Sequence, residues 1–313
     1  MNVWKLTIKR NILMLRIVGL WPKRNEILKL NLYTFYAIIS TQLYLSCHTF
    51  FQLMQMYFVD DLEALISTIV ASCSELLASI KAIYFLINAK LLKQLMDKLN
   101  TESFQPRTSE ELALVEPELY VWQVMYLVFS LSGYMTIALF TFFPILDHSV
   151  YDYQLPFPAW YPFNFKVSPV YEIVYFYQAI STWYLGVAHV NMDLLMAALM
   201  LFAGVQCDIL CHRLKNLTEL SKESDNEITE CIKHHQKIIS FTKECNTFVN
   251  MMVLGQFCSG LTSQALCMFE LSVVGFMSNE FYSYLFYVGA VTVQIFLYCW
   301  FGNEIELKVS HVY

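Results

Sequence analysis

Long unbroken apolar runs dominate the chain. Residues 30–59, 119–146 and 281–301 contain no Asp, Glu, Lys or Arg. Residues 62–88 are nearly as apolar but hold Glu75 and Lys81, 171–193 run from Tyr171 to Asp193, and 247–275 include Glu270. At 1.5 Å per residue, each run of about 20 residues is long enough to cross a ~30 Å hydrocarbon layer as a helix. All eight prolines fall outside these runs or at their ends, as uninterrupted helices require. The pattern predicts an all-α, polytopic membrane protein with six transmembrane helices. The fourth continues its apolar pattern to Leu210, beyond what a bilayer needs. Gly302-Asn303-Glu304 is predicted to break the sixth into polar chain. Trp300 and Phe301 would then sit at the lipid headgroups.

Between the runs the basic residues alternate sharply. Seven of the 20 Lys and Arg precede the first run, four lie between the second and third, six between the fourth and fifth, and Lys308 is in the tail. The intervening loops hold only Lys166. The positive-inside rule therefore places the N-terminal segment 1–29, the segment 205–246 and the tail 302–313 in the cytoplasm. Lys81, in the inner half of its span, is expected to snorkel toward that side. Segment 205–246 has helical patterning. Residues 11–21 place Leu13, Met14, Ile17, Val18 and Trp21 on one helical face, which suits either a helix lying in the membrane interface or an amphipathic helix packed on protein. No small-residue cleavage site follows it, so no signal peptide is expected.

Composition agrees with lipid as solvent. The chain is 57% hydrophobic and only 15% charged, against about 25% charged in soluble domains. No interleaved basic patch points to nucleic acid. None of the nine cysteines lies in a predicted external loop, so no disulfide framework is expected. Cys207, Cys211, His212, Cys231, His234, His235 and Cys245 crowd one segment, but their spacing fits no zinc pattern, and no metal or cofactor is expected. Phosphate loops, GxSxG and HExxH are absent, so nothing supports an enzyme.

Candidate binding chemistry lies in the outer halves of the spans, which are rich in Tyr and Phe. Tyr134 and Thr141 stand two turns apart on one helix face, as do Tyr177, Ser181 and Tyr184 on another. With Tyr284 they are the candidate lining of a small-molecule pocket, although ordinary aromatic packing produces the same pattern. Glu75 is the deepest carboxylate; function and structural hydrogen bonding are equally open for it. Lys81, six residues on, is on a different face, so the two cannot pair. Asp193 and Glu270 are expected to be solvated near the interfaces.

Three stretches carry a family resemblance: Gly19-Leu-Trp-Pro22, Leu155-Pro-Phe-Pro-Ala-Trp-Tyr-Pro-Phe163 and Tyr298-Cys-Trp-Phe-Gly-Asn-Glu304. With these the chain resembles the insect odorant receptors, ligand-gated cation channels of the olfactory system. The resemblance implies a plasma-membrane subunit that binds a small volatile organic ligand and assembles with a shared co-receptor into a hetero-tetramer. It places the ligand pocket in the outer half of spans two, three, four and six. It also implies a seventh helix after Gly302-Asn303-Glu304 that lines the pore. The sequence stops at Tyr313, before such a helix, and is expected not to conduct as it stands. A gustatory receptor of the same superfamily is the nearest alternative and a six-helix transporter the next, though neither broken helices nor repeats are present.

Overall fold

The computed structural model describes residues 4, 7–21, 32–59, 62–217, 224–276 and 278–310. Pro22, residues 30–31 of the first predicted span and Thr218 lie outside them. The described residues are helical and contain no strand. Helix α1 is Lys9–Ile17. Helix α2 comprises Leu32–Ser40, a π-helical stretch Thr41–Ser46, and Cys47–Gln55. Then come α3 (Leu62–Ile87), α4 (Ala89–Leu99), α5 (Ser109–Leu146), α6 (Val170–Leu217), α7 (Ser224–Val273) and α8 (Asn279–Ser310). Five of these (α3, α5, α6, α7 and α8) are long and apolar enough to cross a membrane; α2 is the sixth predicted span.

Helix α6 is the central column. It packs against α1, α2, α3, α5, α7 and α8. A helix apolar on all sides finds its minimum inside a bundle, and Leu194 through Leu199 are all fully buried. Helix α1 docks on the same column. Its end is a tight turn at Gly19, which has a φ of +74° and lies so close to α2 that a Cβ would come within 2.8 Å of the Ala37 Cα. Only glycine meets both demands, which accounts for the first motif. The helical part of this segment ends at Ile17 and packs on protein through Leu15, with Val18 buried just beyond it, whereas Leu13 and Ile17 of the predicted apolar face are exposed.

The helices overrun the predicted spans on the basic side. α5 starts at Ser109, where the Thr108 hydroxyl accepts from the Glu111 amide at 3.1 Å. It passes through Pro117, whose ring is exposed, so the carbonyl freed one turn back faces solvent. α6 extends into segment 205–246 as far as Leu217, and α7 begins within it at Ser224. α8 does not break at Gly302 but runs to Ser310. One glycine costs a helix only about 1 kcal/mol, and Lys308 offsets it by bridging Glu118 at 2.5 Å and Asp208 at 2.8 Å. Phe301 is consequently not at the headgroups: it is 1% exposed and packs against Trp122 at 5.9 Å.

Two expectations about charge are overturned. Lys81 does not snorkel and Asp193 is not solvated. Both are fully buried and paired at 2.6 Å across α3 and α6. Glu270 is likewise 1% exposed. Burial of these groups is tolerable only because neighbouring helices bring partners that sequence spacing cannot reveal.

The basic ends of the helices interlock. Arg213 on α6 forks onto Glu111 on α5, at 2.7 Å and 3.0 Å, the bidentate geometry that suits a guanidinium. Burial pushes the Glu111 carboxyl up, but Arg213 outweighs it and holds the group below the usual carboxylate range. Lys98 meets Glu244 at 2.5 Å and Arg107 meets Glu230 at 2.8 Å. Cys207 and Cys231 sit beside these contacts in a small apolar cluster with Leu210 and Ile238.

Candidate functional site: a roofed cavity among five helices

A cavity of about 330 Å³ opens among α3, α5, α6, α7 and α8 in their outer halves. Its roof is the loop after α5. Leu155, Phe157 and the flanking Pro156 and Pro158 line it from above. The loop is held by Gln178 of α6, whose amide donates to the Phe157 carbonyl at 3.1 Å and accepts from the Phe157 N–H at 3.3 Å. The aromatics fix it further: Phe157 stacks on Phe140 at 5.5 Å, Trp160 on Phe58 at 5.2 Å, and Tyr161 lies 4.8 Å from Phe51. Proline limits the backbone's alternatives and the rings supply buried area. The second motif is thus a proline-stiffened cover over the cavity.

The walls are apolar and aromatic with a few hydroxyls. Phe140 of α5 sits edge-on to Tyr284 and Tyr287 of α8, at 5.9 Å and 6.5 Å. The Tyr287 hydroxyl bonds Ser74 of α3 at 2.5 Å. Small residues make the space: Gly133, Gly186 and Gly260 all line it. The inner end is polar, formed by His189, Gln256 and Gln294. Such a site, mostly apolar with a few placed polar groups, suits a small organic molecule.

Of the residues singled out from sequence, Tyr284 and Glu75 line this cavity. Glu75 accepts a hydrogen bond from Gln52 at 2.9 Å and stands 3.3 Å from His48, both on α2. Thr141 and Tyr184 instead line a more open, largely apolar groove of about 580 Å³ on the flank of α5 and α6, beside Ile17, Val18 and Tyr36. The Tyr184 hydroxyl is engaged by α1, donating to the Val18 carbonyl at 2.5 Å. Tyr134 lines neither space. Its hydroxyl accepts from Asn191 at 3.2 Å and its ring stacks 6.4 Å from Trp183. Tyr177 donates to the Leu43 carbonyl at 2.7 Å and meets His48 edge-on. Ser181 is fully buried and lines neither space. Helical spacing says which residues share a face but not which face meets the cavity. Phe140 and Tyr287, which do line it, belong to the Tyr- and Phe-rich outer halves legible in the sequence, whereas the polar trio, from three separate helices, was missed.

Relatives share this architecture. The solved olfactory receptor OR5 of Machilis hrabei, determined in complex with eugenol, superposes with a TM-score of 0.84 over 97% of this chain and 81% of its own, at 18% identity. Odorant receptor Or1 of Anopheles gambiae is 24% identical over 94% of this chain and 77% of its own length. Isoform A of odorant receptor 46a of Drosophila melanogaster is 24% identical over 94% and 78%. The family described as 7tm odorant receptor matches residues 61–312. With that match over most of its length, on an all-helical fold whose apolar helices are long enough to span a bilayer, the chain belongs to the odorant receptor family and is a multi-pass receptor of the plasma membrane.

Proposed function

We propose that this chain is the odorant-binding subunit of a heteromeric ligand-gated cation channel, assembled with a shared co-receptor, and that its ligand is a small volatile organic molecule held in the roofed cavity. The cavity itself carries the reading. Its volume of about 330 Å³ is at the scale of ligand pockets, and its aromatic walls suit a neutral, largely apolar guest. Tyr284, Phe140 and Tyr287 supply flat contact area, and the Leu155–Pro158 segment covers the space from above. Glu75 forms part of the wall. The resemblance to OR5, a receptor solved with eugenol bound, supports a ligand of that size class.

The test is a dose–response comparison in cells expressing the co-receptor with a version of the chain that carries the seventh helix the family resemblance implies. Tyr284→Ala removes wall area and Ala71→Trp fills the space, so both should shift potency at least tenfold beyond any change in surface expression. Tyr177→Phe deletes a hydroxyl bonded away from the cavity and should leave potency unchanged. Unchanged curves for Tyr284→Ala and Ala71→Trp would sink this assignment.

A further inference from the structure

The inner end of the cavity is built on the buried Lys81–Asp193 pair, and its hydrogen bonds do not balance. Lys81 donates to Asp193 Oδ1 at 2.6 Å and to Gln256 Oε1 at 2.5 Å. Gln294 donates to Asp193 Oδ2, and its own Oε1 accepts from Gln256 Nε2 at 2.8 Å. These contacts fix both amide orientations, because an ammonium needs an acceptor and a carboxylate needs a donor. Four groups then converge on one atom, His189 Nε2: Lys81 Nζ at 3.3 Å, Gln294 Nε2 at 3.0 Å, Gln256 Oε1 at 3.3 Å and Asp193 Oδ2 at 3.2 Å.

That nitrogen offers either one lone pair or one N–H. As an acceptor it serves Lys81 or Gln294 and leaves the other's hydrogen unmatched. As a donor it serves neither. The second N–H of Gln256 also has no partner among the described residues. As placed, these contacts leave the second N–H of Gln256 and an N–H of Lys81 or Gln294 without an acceptor in either tautomer. His189, Gln256 and Gln294 all border the cavity, whereas Lys81 and Asp193 are sealed behind them. An unmet donor at the edge of an apolar cavity is costly and is relieved by an acceptor placed there.

We infer that Gln256 and Gln294, oriented by Lys81 and Asp193, form a donor subsite that takes the oxygen of the ligand, so that the receptor selects neutral molecules with an apolar body and a terminal carbonyl, ether or hydroxyl oxygen over hydrocarbons of the same shape. This rests on the cavity being the ligand site. It adds a direction: the oxygen points inward to the ion pair and the apolar body outward to Tyr284 and Phe140. Because the same amides hold Lys81 to Asp193, the ligand oxygen joins the network that ties α3 to α6, α7 and α8.

The experiment uses matched pairs on the purified chain in detergent, read as the ligand-induced rise in unfolding temperature: acetophenone with ethylbenzene, 2-heptanone with heptane, and octanal with nonane. The oxygenated member should reach its half-maximal shift at roughly five- to tenfold lower concentration, the worth of about one neutral hydrogen bond. Gln294→Leu should erase that preference while keeping the hydrocarbon response. The pairs need only the unaltered protein, so misfolding of the variant does not remove the test. Equal shifts within every pair, or no shift from any oxygenated compound, overturn the subsite. Ala71→Trp separates the two claims. If it blocks both members of a pair that were equal before, the cavity stands and the donor subsite falls. If it blocks neither, the cavity is not the ligand site.

Discussion

Lys81 and Asp193 show how much a single residue's meaning depends on its partner. Each is fully buried, on helices 112 positions apart in the chain. Removing one charge leaves the other stranded in a dry interior, which costs about 3–5 kcal/mol, while replacing both with apolar groups of similar size is often neutral. Lys81→Met alone should therefore lose most of the folded receptor, measured as surface expression and unfolding temperature. Lys81→Met with Asp193→Leu should recover a large part of it. A double variant as damaged as the single one would mean that Gln256, Gln294 and His189 depend on the charges. Sequence reasoning read the depth of both residues but assigned each to solvent, because it treats one helix at a time. The same limit applies to Tyr134 and Tyr177: their aromatic character was legible, whereas their partners Asn191 and Leu43 become visible only in three dimensions.

At the level of helices, each apolar run maps onto one helix, five of these helices being long and apolar enough to cross a membrane, and the structure adds where the helices end and how closely they approach. Segment 205–246 was legible as helical, and the apolar pattern running to Leu210 already carried α6 into it; that α6 reaches Leu217 and that α7 starts at Ser224 was not, because the charges look like a loop until Arg213 and Glu111 are seen to pair. The π-helical turn in α2 has no sequence signature that hydrophobic periodicity detects. The contact between α5 and α6 rests on Gly186. A Cβ there would stand 2.0 Å from Cδ1 of Ile137, the flexible end of a side chain that itself lines the cavity. Gly186→Ala should fold, because Ile137 can turn away, and the accessible volume should shrink. In a homologous series of ketones, potency should fall progressively with length relative to the parent receptor, with the shortest member least affected. A uniform loss across the series would instead indicate a shift of the whole α5–α6 contact.

Over the whole molecule, the charge pattern that orients the chain also builds its inner end. The basic segments that the positive-inside rule assigns to the cytoplasm are those that interlock through Lys98, Arg107, Arg213 and Lys308. Asn216 lies on that side, so the sequon it begins should carry no glycan in cells; occupancy detected by a glycosidase mobility shift would reverse the topology. His234 gives this end a pH dependence. It bridges the cluster, facing Arg213 at 3.3 Å through Nδ1 and Gln206 at 3.1 Å through Nε2, with Phe104 packed edge-on at 5.7 Å. Burial, together with Arg213 and Arg107, pushes its pKa down to about 4, below the ~6.5 of an unfolded histidine. The unfolded chain then binds the extra proton between those values and the folded chain does not. Stability should be full above about pH 6.5 and decline as the pH falls toward 4. The depressed Glu111 acts in the same direction at lower pH, from the ordinary carboxylate range downward. The unfolding temperature of the purified chain, followed from pH 7.5 to 4.5, should therefore drop over that window. His234→Gln keeps a polar side chain that can still bond Arg213 or Gln206 and has no proton to gain. It should flatten the upper part of the profile, and an unchanged slope would place the titrating group elsewhere.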